Sequence, residues 1–459
     1  MAGGPVVVAV GSPNWDTMAF VPDTFLSEHG LGRGDATPLD DGAAFRALKE
    51  SAKGLSARTL SQCGGCACNT AKVLSCLGCQ TFFCGCVGGD VVASEFREAL
   101  CQLGMVDLCA EAFDRDSGEV LCLVTDDGER SFAYRTGVAS DALEAAALSA
   151  ALDRVAGQSG KVDLVYFDAY SLLCPGSTAE EGLRKARSLG AKTGMNLGSS
   201  GIVRAQQKRL WQLLRDGELD VIMLNQDEAA ALFGEDMSPS DICGALSEHC
   251  ELAVLTLGST GLWVAQERGP PEFQRVEPLA EVVDSTGAGD FFAGGFLAAW
   301  LRREPSNCTP WGYASATAVL QVFGTDLGPE GWHRLRKSCA EATAKSFPRL
   351  FSPYTALDGQ SFLEIEFEFK DGTLRASKTV GQLPEAVAAA VSAEIERVEI
   401  FGLKSPLTAA EATLDGKVSA LPKPISRALS GDGSASLHAA MLKVKPRIDM
   451  RQAWSISVK

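Results

Sequence analysis

With 459 residues, 46% apolar and 22% charged, the chain has the composition of a globular protein with a full hydrophobic core, long enough for one large α/β domain and a smaller one. A net charge of −16 excludes nucleic acid as a partner, because that binding rests on clustered Lys and Arg, and no apolar run is long enough to span a bilayer. Met1-Ala2-Gly3-Gly4 leads straight into an apolar run without the basic segment of a targeting peptide. The protein is therefore expected in the cytoplasm, with its 15 cysteines as free thiols rather than a disulfide framework.

Val6 to Gly11 reads as a buried strand, and Ser12-Pro13-Asn14-Trp15-Asp16 follows at its C-terminal end, where ligands of open α/β sheets collect. Asn14 and Asp16 can each engage hydroxyls, and Asp16 as an acceptor suits a vicinal diol; the competing reading is an Asx turn leaving a strand. Thr17 to Asp41 has little helical periodicity, Ala43 to Leu48 suggests a helix, and Ser51 to Ala57 suggests a polar connection. In Cys63-Gly64-Gly65-Cys66-Ala67-Cys68-Asn69 the paired glycines let backbone approach a ligand closely. Asn69, near a helix start, can offer both donor and acceptor to a sugar hydroxyl. Cys63-x-x-Cys66 and Cys76-x-x-Cys79 also have the spacing of a zinc ribbon, although the first pair brackets the glycines and buried thiols commonly act as small hydrophobes.

Thr81 to Cys86 reads as a strand and Val91 to Leu103 as a helix. Leu121–Thr125 and Arg130–Tyr134 form a hairpin around Asp127-Gly128, at a sheet edge or lid, with Arg130 and Arg135 either near phosphates or on the surface. From Asp141 strands at Val162–Phe167, Ala191–Leu197, Val221–Leu224 and Leu252–Leu257 alternate with amphipathic stretches such as Arg204–Leu214, which implies a parallel sheet with helices on both faces. Asn225 leaves one of these strands with Glu228 a turn later; both are also ordinary capping residues. Thr256-Leu257-Gly258-Ser259-Thr260-Gly261 turns from the next strand into Leu262–Ala265.

Glu281-Val282-Val283 looks like the end of a short strand. The Asp284-Ser285-Thr286-Gly287-Ala288-Gly289 loop then runs into a helix from Asp290, with Phe292, Phe296 and Trp300 on one face. A glycine loop entering a helix aims unpaired N–H groups and the positive end of the helix dipole at one point, a site for an oxyanion such as phosphate. A carboxylate there repels phosphate, so Asp290 is expected to take a proton from an attacking hydroxyl. A hydroxyl, a base and an anion hole formed by Gly287, Ala288 and Gly289 together describe a kinase; the competing reading is a capped helix N-terminus after a glycine turn.

Asp284-Ser-Thr-Gly-Ala-Gly-Asp290-Phe-Phe-Ala-Gly-Gly-Phe296 resembles the C-terminal signature of the ribokinase (PfkB) family of carbohydrate and nucleoside kinases. Gly64-Gly65-x-x-x-Asn69-x-Ala71 is similar to its N-terminal signature, and the order of the two agrees. The N-terminal third is most similar to adenosine kinase-like members. The resemblance implies a ribokinase-like doubly wound sheet with helices on both faces and a small β lid drawn from 17–41 and 121–135. It further implies ATP with Mg²⁺, a nucleoside or sugar held by Asn14, Asp16, Gly64, Gly65 and Asn69, and nucleotide contacts at Asn225, Thr256, Gly258, Gly261 and Asp284. Asn225 and Glu228 would organise Mg²⁺ through its waters. An adenosine-like acceptor is expected, with Trp15, Phe20 and Tyr170 as aromatic wall; a ribose or fructose kinase and a non-catalytic binding protein of the same fold are the alternatives. Phe323-Gly324-Thr325-Asp326 departs from the family's adenine-flanking pattern. The resemblance covers 1–350. Residues 351–459 read as a small α+β extension, with a linker at 351–354, a hairpin over 362–380, a helix over 384–398 and a flexible stretch at 431–436. Oligomeric state is not encoded in any of these motifs.

Overall fold

The Val6–Val10 strand shows how the core is organised. Val6, Val8 and Val10 pack on one side against Leu148, Leu152, Leu183 and Leu210, whereas Val7 packs on the other with Tyr166, Val254 and Phe296. Successive side chains of a strand point to opposite faces, so a strand that is apolar at every position is buried on both. The computed structural model describes residues 4–345 apart from Ala57 and Ser140, and then the strands Phe362–Lys370, Thr373–Val380, Glu411–Leu414, Lys417–Ala420 and Ala453–Val458.

The main sheet has nine strands, in the order Glu272–Arg275, Gly261–Gln266, Leu252–Thr256, Val221–Asn225, Lys192–Asn196, Leu164–Asp168, Val6–Val10, Gln80–Cys84 and Val106–Asp107. Helices Ala145–Ser159, Thr178–Ser188, Ser200–Arg215 and Pro239–Ser247 supply the core of one face. Ala288–Leu301, with Leu74 from helix Cys66–Cys76, supplies that of the other. This is the doubly wound arrangement expected from the alternating pattern. From Val106–Asp107 to Leu252–Thr256 the pairing is parallel. The last two strands are antiparallel, a departure from an all-parallel sheet, because the short turn at 257–260 is too brief for a crossover.

A second sheet of five strands, ordered Ala36–Pro38, Arg130–Arg135, Gly118–Val124, Asn14–Phe20 and Thr59–Gly64, forms the lid. Asn14–Phe20 is a strand and not an Asx turn. It pairs antiparallel with Thr59–Gly64 and parallel with Gly118–Val124, so Asn14 and Asp16 share one face while Ala19 packs on the other with Phe25, Phe45 and Leu121. The hairpin of Gly118–Val124 and Arg130–Arg135 forms as expected.

Four other expectations are corrected. Ser51–Leu55 is the last part of helix Gly42–Leu55, whose first turn is capped by Asp41 accepting from Ala43 N at 2.8 Å and Ala44 N at 3.2 Å. Asp23–Glu28, inside the supposedly aperiodic stretch, is a short helix burying Phe25 and Leu26. The helix expected from Trp311 spans Pro305–Leu320. Glu281–Val283 forms no strand: Val283 N donates to Leu320 O at 2.8 Å, and the Val282 and Val283 side chains face solvent.

By its contacts the chain groups into two compact units, Met1–Glu304 with Cys308–Cys339, and Pro305–Asn307 with Ala340–Lys459. In the second, Phe362–Lys370 pairs antiparallel with Thr373–Val380, the expected hairpin, and parallel with Ala453–Val458. The 350/351 boundary, the linker at 351–354, the helix at 384–398 and the stretch at 431–436 lie outside the described residues. No helix among the described residues is long and apolar enough to cross a membrane.

The hydrophobic clusters of both sheets lie between Val6 and Cys339. A chain ending at Leu350 is therefore expected to fold with a cooperative thermal transition close to that of the full chain. Aggregation of the shortened chain, or a broad transition, would show that residues after 350 complete its core.

Candidate active site

Three elements bring their polar ends to Asp290, in the first turn of Ala288–Leu301. Asn69, from helix Cys66–Cys76, donates its amide to Asp290 Oδ2 at 3.1 Å, and Asn196, at the end of Lys192–Asn196, donates to Oδ1 at 3.0 Å. Thr70 Oγ1 donates to the Asp290 carbonyl at 3.1 Å. Only 8% of Asp290 is exposed. Burial pushes its carboxyl up to about 7, the Asn69 hydrogen bond works against this, the nearby Asp168 and Glu228 carboxylates add to it, and the Lys72 ammonium opposes them. A buried carboxylate whose pKa lies near neutral pH, held by two neutral amides, is poised to exchange a proton.

Beside it the glycine turn opens. Gly287 precedes the helix with φ of 72°, a left-handed conformation that favours glycine, and a Cβ there would press on the Thr325 methyl at 2.6 Å. The N–H groups of Gly287, Gly289 and Asp290 have no hydrogen-bond partner among the described residues, and that of Ala288 donates to Ser285 O at 3.3 Å. Of the three amides expected to form an anion hole, that of Ala288 is thus already engaged, and the Asp290 N–H is free beside those of Gly287 and Gly289.

These groups line a cavity of about 840 Å³, within the usual range for small-molecule sites. Asn14 and Asp16 line it from the lid sheet, and their side chains have no hydrogen bond to the protein among the described residues. Burial also pushes Asp16 up to about 7; Lys72 works in the opposite direction and Cys63 adds a small rise. Gly65 lines the cavity and starts helix Cys66–Cys76 with φ of 99°, and a side chain on it would collide with Ser12 O. Gly64 does not line the cavity but lies against the Asp16 carboxylate, which a Cβ there would displace. Of the expected aromatic wall, Tyr170 lines the cavity with Phe132, Tyr134 and Leu173. Trp15 packs instead with Phe83 and Phe96, and Phe20 meets Phe323 edge to face at 5.1 Å.

On the far side, Asn225, Glu228 and Thr256 line the cavity. Asn225 and Glu228 form a reciprocal capping box: Glu228 accepts from Asn225 N and Nδ2, each at 2.9 Å, and Asn225 Oδ1 accepts from Glu228 N at 2.9 Å. Burial pushes Glu228 up to about 7, against the pull of these bonds. Gly258, in the turn between Leu252–Thr256 and Gly261–Gln266, and Gly261, at the start of the latter strand, were expected at the nucleotide and are not in the cavity wall. Asp284 is not in the wall either. Its buried carboxylate pairs with Arg130 at 2.7 Å and accepts from Thr286 N at 2.7 Å and Gly324 N at 2.8 Å. Arg130 is thereby tied to the glycine loop, and Arg135, which lines the cavity, is balanced by Asp116 at 2.6 Å and Glu119 at 2.7 Å. The cysteine pairs do not converge on a metal. Cys76 Sγ bonds to Trp332 O at 3.5 Å, and among the described residues no group of three His, Cys, Asp or Glu could hold an ion.

The profile of the pfkB family of carbohydrate kinases matches residues 42–330. The chain belongs to this family. Aminoimidazole riboside kinase of Salmonella typhimurium is 27% identical over 261 residues, 55% of this chain and 76% of that one. Guanosine-inosine kinase of Escherichia coli is 27% identical over 268 residues, 56% of this chain and 59% of the relative. Adenosine kinase of Trypanosoma brucei brucei superposes with a TM-score of 0.62 at 25% identity, over 70% of this chain and all of that one (100%). As a family member the chain is an ATP-dependent kinase of a nucleoside or sugar, with a ribokinase-like fold.

Asp168, Asn196 and Lys72 escaped the sequence reading. Asp168 ends strand Leu164–Asp168, lines the cavity and accepts from Ala67 N and Ser171 N, each at 3.2 Å. The rule that pointed to Asn14 and Asn225, polar residues at the C-terminal ends of parallel strands, applied equally to Asp168 and Asn196. In the Arg130–Asp284 pair the carboxylate is fully buried and the guanidinium partly exposed. Arg130→Met leaves Asp284 buried without its cation, and breaking such a pair costs about 3 kcal/mol or more. Urea denaturation should show a loss of that size, partly recovered in Arg130→Met/Asp284→Asn. An unchanged midpoint for the single variant would remove the pair from the account.

Proposed function

We propose that the chain phosphorylates the primary hydroxyl of a purine nucleoside, using ATP, with Asp290 as general base. One observation carries this reading. Asn14 and Asp16, without a protein hydrogen bond among the described residues, line one cavity together with Tyr134 and Phe132 of the same lid sheet, Tyr170, Asp290 and the unpaired amides of the glycine turn. A ribose diol on Asn14 and Asp16 leaves the base against the aromatic side chains. The primary hydroxyl is then directed toward Asp290.

In the reaction, an Asp290 carboxylate oxygen takes the hydroxyl proton as the hydroxyl oxygen attacks the terminal phosphorus of ATP. The bond to the bridging oxygen breaks, and the electron pair leaves with ADP. Asn69 and Asn196 hold both oxygens of the base in place, and such orientation is worth orders of magnitude in rate. The free N–H groups of Gly287 and Gly289 face the phosphoryl oxygens as charge moves over them. The donor set of Asn225 and Glu228 fits Mg²⁺ only through its waters, since their side chains are occupied with each other. Bound there, Mg²⁺ would supply charge neutralisation to the polyphosphate. The lid sheet excludes water, which would otherwise compete as acceptor.

Asp290→Asn keeps size and loses the proton acceptor. Turnover should drop roughly 10²–10⁴-fold while ATP binding by calorimetry survives; a variant within a few-fold of wild type removes Asp290 from this role. Because the base works ionised and its carboxyl lies near 7, log kcat/KM should climb with pH to about 7 and then level. A flat profile from pH 5 to pH 8, in roughly the range where such groups titrate, would contradict that. A panel of adenosine, guanosine, inosine, ribose and fructose, assayed for ADP release, decides the acceptor. Far higher kcat/KM for a free sugar than for any nucleoside would replace the nucleoside reading with the sugar-kinase one.

A further inference from the structure

Lys72 lies inside helix Cys66–Cys76 with 1% of its surface exposed. Its ammonium donates to Cys63 O at 2.5 Å, to Asn69 Oδ1 at 3.0 Å and to Thr325 Oγ1 at 2.8 Å. No carboxylate is within ion-pair distance of it among the described residues. A buried ammonium satisfied only by neutral oxygens is a poor choice for stability alone, where an apolar side chain of similar length would avoid the desolvation.

The three acceptors belong to three parts of the site. Cys63 ends the strand that leads into Gly64-Gly65, Asn69 bonds to Asp290, and Thr325 packs its methyl against Gly287. Thr325 is itself fully buried, and its N–H donates to Gln62 Oε1 at 3.1 Å. An asparagine amide has one acceptor and one donor end. With Lys72 holding Oδ1, the Nδ2 end of Asn69 is the one turned toward the base.

We infer that Lys72 is a positioning residue for phosphotransfer, orienting the Asn69 amide toward Asp290 and joining the acceptor turn at Gly64-Gly65 to the anion turn at Gly287 through Thr325. The inference rests on the reading of Asp290 as base. Charge acts in the same direction as geometry. The groups facing Asp290 are Asp168 and Tyr166 from one strand, Asn196 from the next, Glu228 from helix Gln226–Phe233, and Cys66, Asn69 and Lys72 from helix Cys66–Cys76. Among these, Lys72 is the cation, and it favours the ionised form of both Asp290 and Asp16.

The test uses the full chain with Mg²⁺, ATP and whichever acceptor of the panel above the wild type turns over fastest. Lys72→Met should lower kcat roughly 100-fold, as for a base displaced by about an ångström. Its acid limb should move to higher pH, which a merely structural substitution would not cause. An acid limb in the wild-type position, or wild-type kcat, overturns the inference. If Lys72→Met does not fold, Thr325→Val decides: kcat should fall, with Thr325→Ser restoring it, and wild-type kcat for Thr325→Val overturns the inference. A wild type inactive on every acceptor contradicts the functional reading instead. A crystal structure of Lys72→Met, or of Thr325→Val where that is the folded variant, then tests positioning without turnover. Loss of the Asn69–Asp290 hydrogen bond supports it, and an unmoved Asn69 overturns it.

Discussion

The structure depends on keeping one carboxylate buried among other acidic groups. Asp290 sits at a helix start beside Asp168 and Glu228, with no cation in ion-pair contact among the described residues. Isolated ionised groups are expelled from protein interiors or neutralised. Here the site compromises: two amides donate to the carboxylate, and the remaining desolvation raises its pKa. Those amides come from helix Cys66–Cys76 and strand Lys192–Asn196, so the relative placement of three elements is set by satisfying one side chain.

Asp284, six positions earlier in the same loop, shows the opposite solution. It has a guanidinium at 2.7 Å and two backbone donors, and it serves to anchor the lid strand Arg130–Arg135 to the glycine turn. Two aspartates of one motif thus stand in different environments, one given a cation and the other not, the kind of difference by which proteins divide labour between identical groups. The lid that carries Asn14 and Asp16 is held, through Arg130, by the same loop that carries the unpaired amides of Gly287 and Gly289.

The sequence made legible what is local. Apolar runs bounded by turns marked the strands, alternation with helices marked the doubly wound sheet, and the Asp284–Asp290 motif marked the site. Non-local pairing was not legible. Asn14–Phe20 becomes a strand because Thr59–Gly64 and Gly118–Val124 flank it. Val282 and Val283 look like strand residues but find no strand partner, since the Val283 amide is taken by Leu320 O. Nothing in the sequence singles out Lys72, and only the folding of Cys63, Asn69 and Thr325 around it makes it part of the site. Gly258 and Gly261 frame the tight turn and strand start after Leu252–Thr256, outside the cavity wall.

The claim that Asp290 is the base between an acceptor diol and an anion turn is tested most directly by a crystal structure with a purine nucleoside and a non-hydrolysable ATP analogue. The account predicts the primary hydroxyl within hydrogen-bonding distance of an Asp290 carboxylate oxygen, roughly 2.6–3.2 Å, with the ribose diol on Asn14 and Asp16 and the terminal phosphate at the amides of Gly287 and Gly289. A nucleoside whose hydroxyl points away from Asp290, with the phosphate bound elsewhere than the glycine turn, would contradict it.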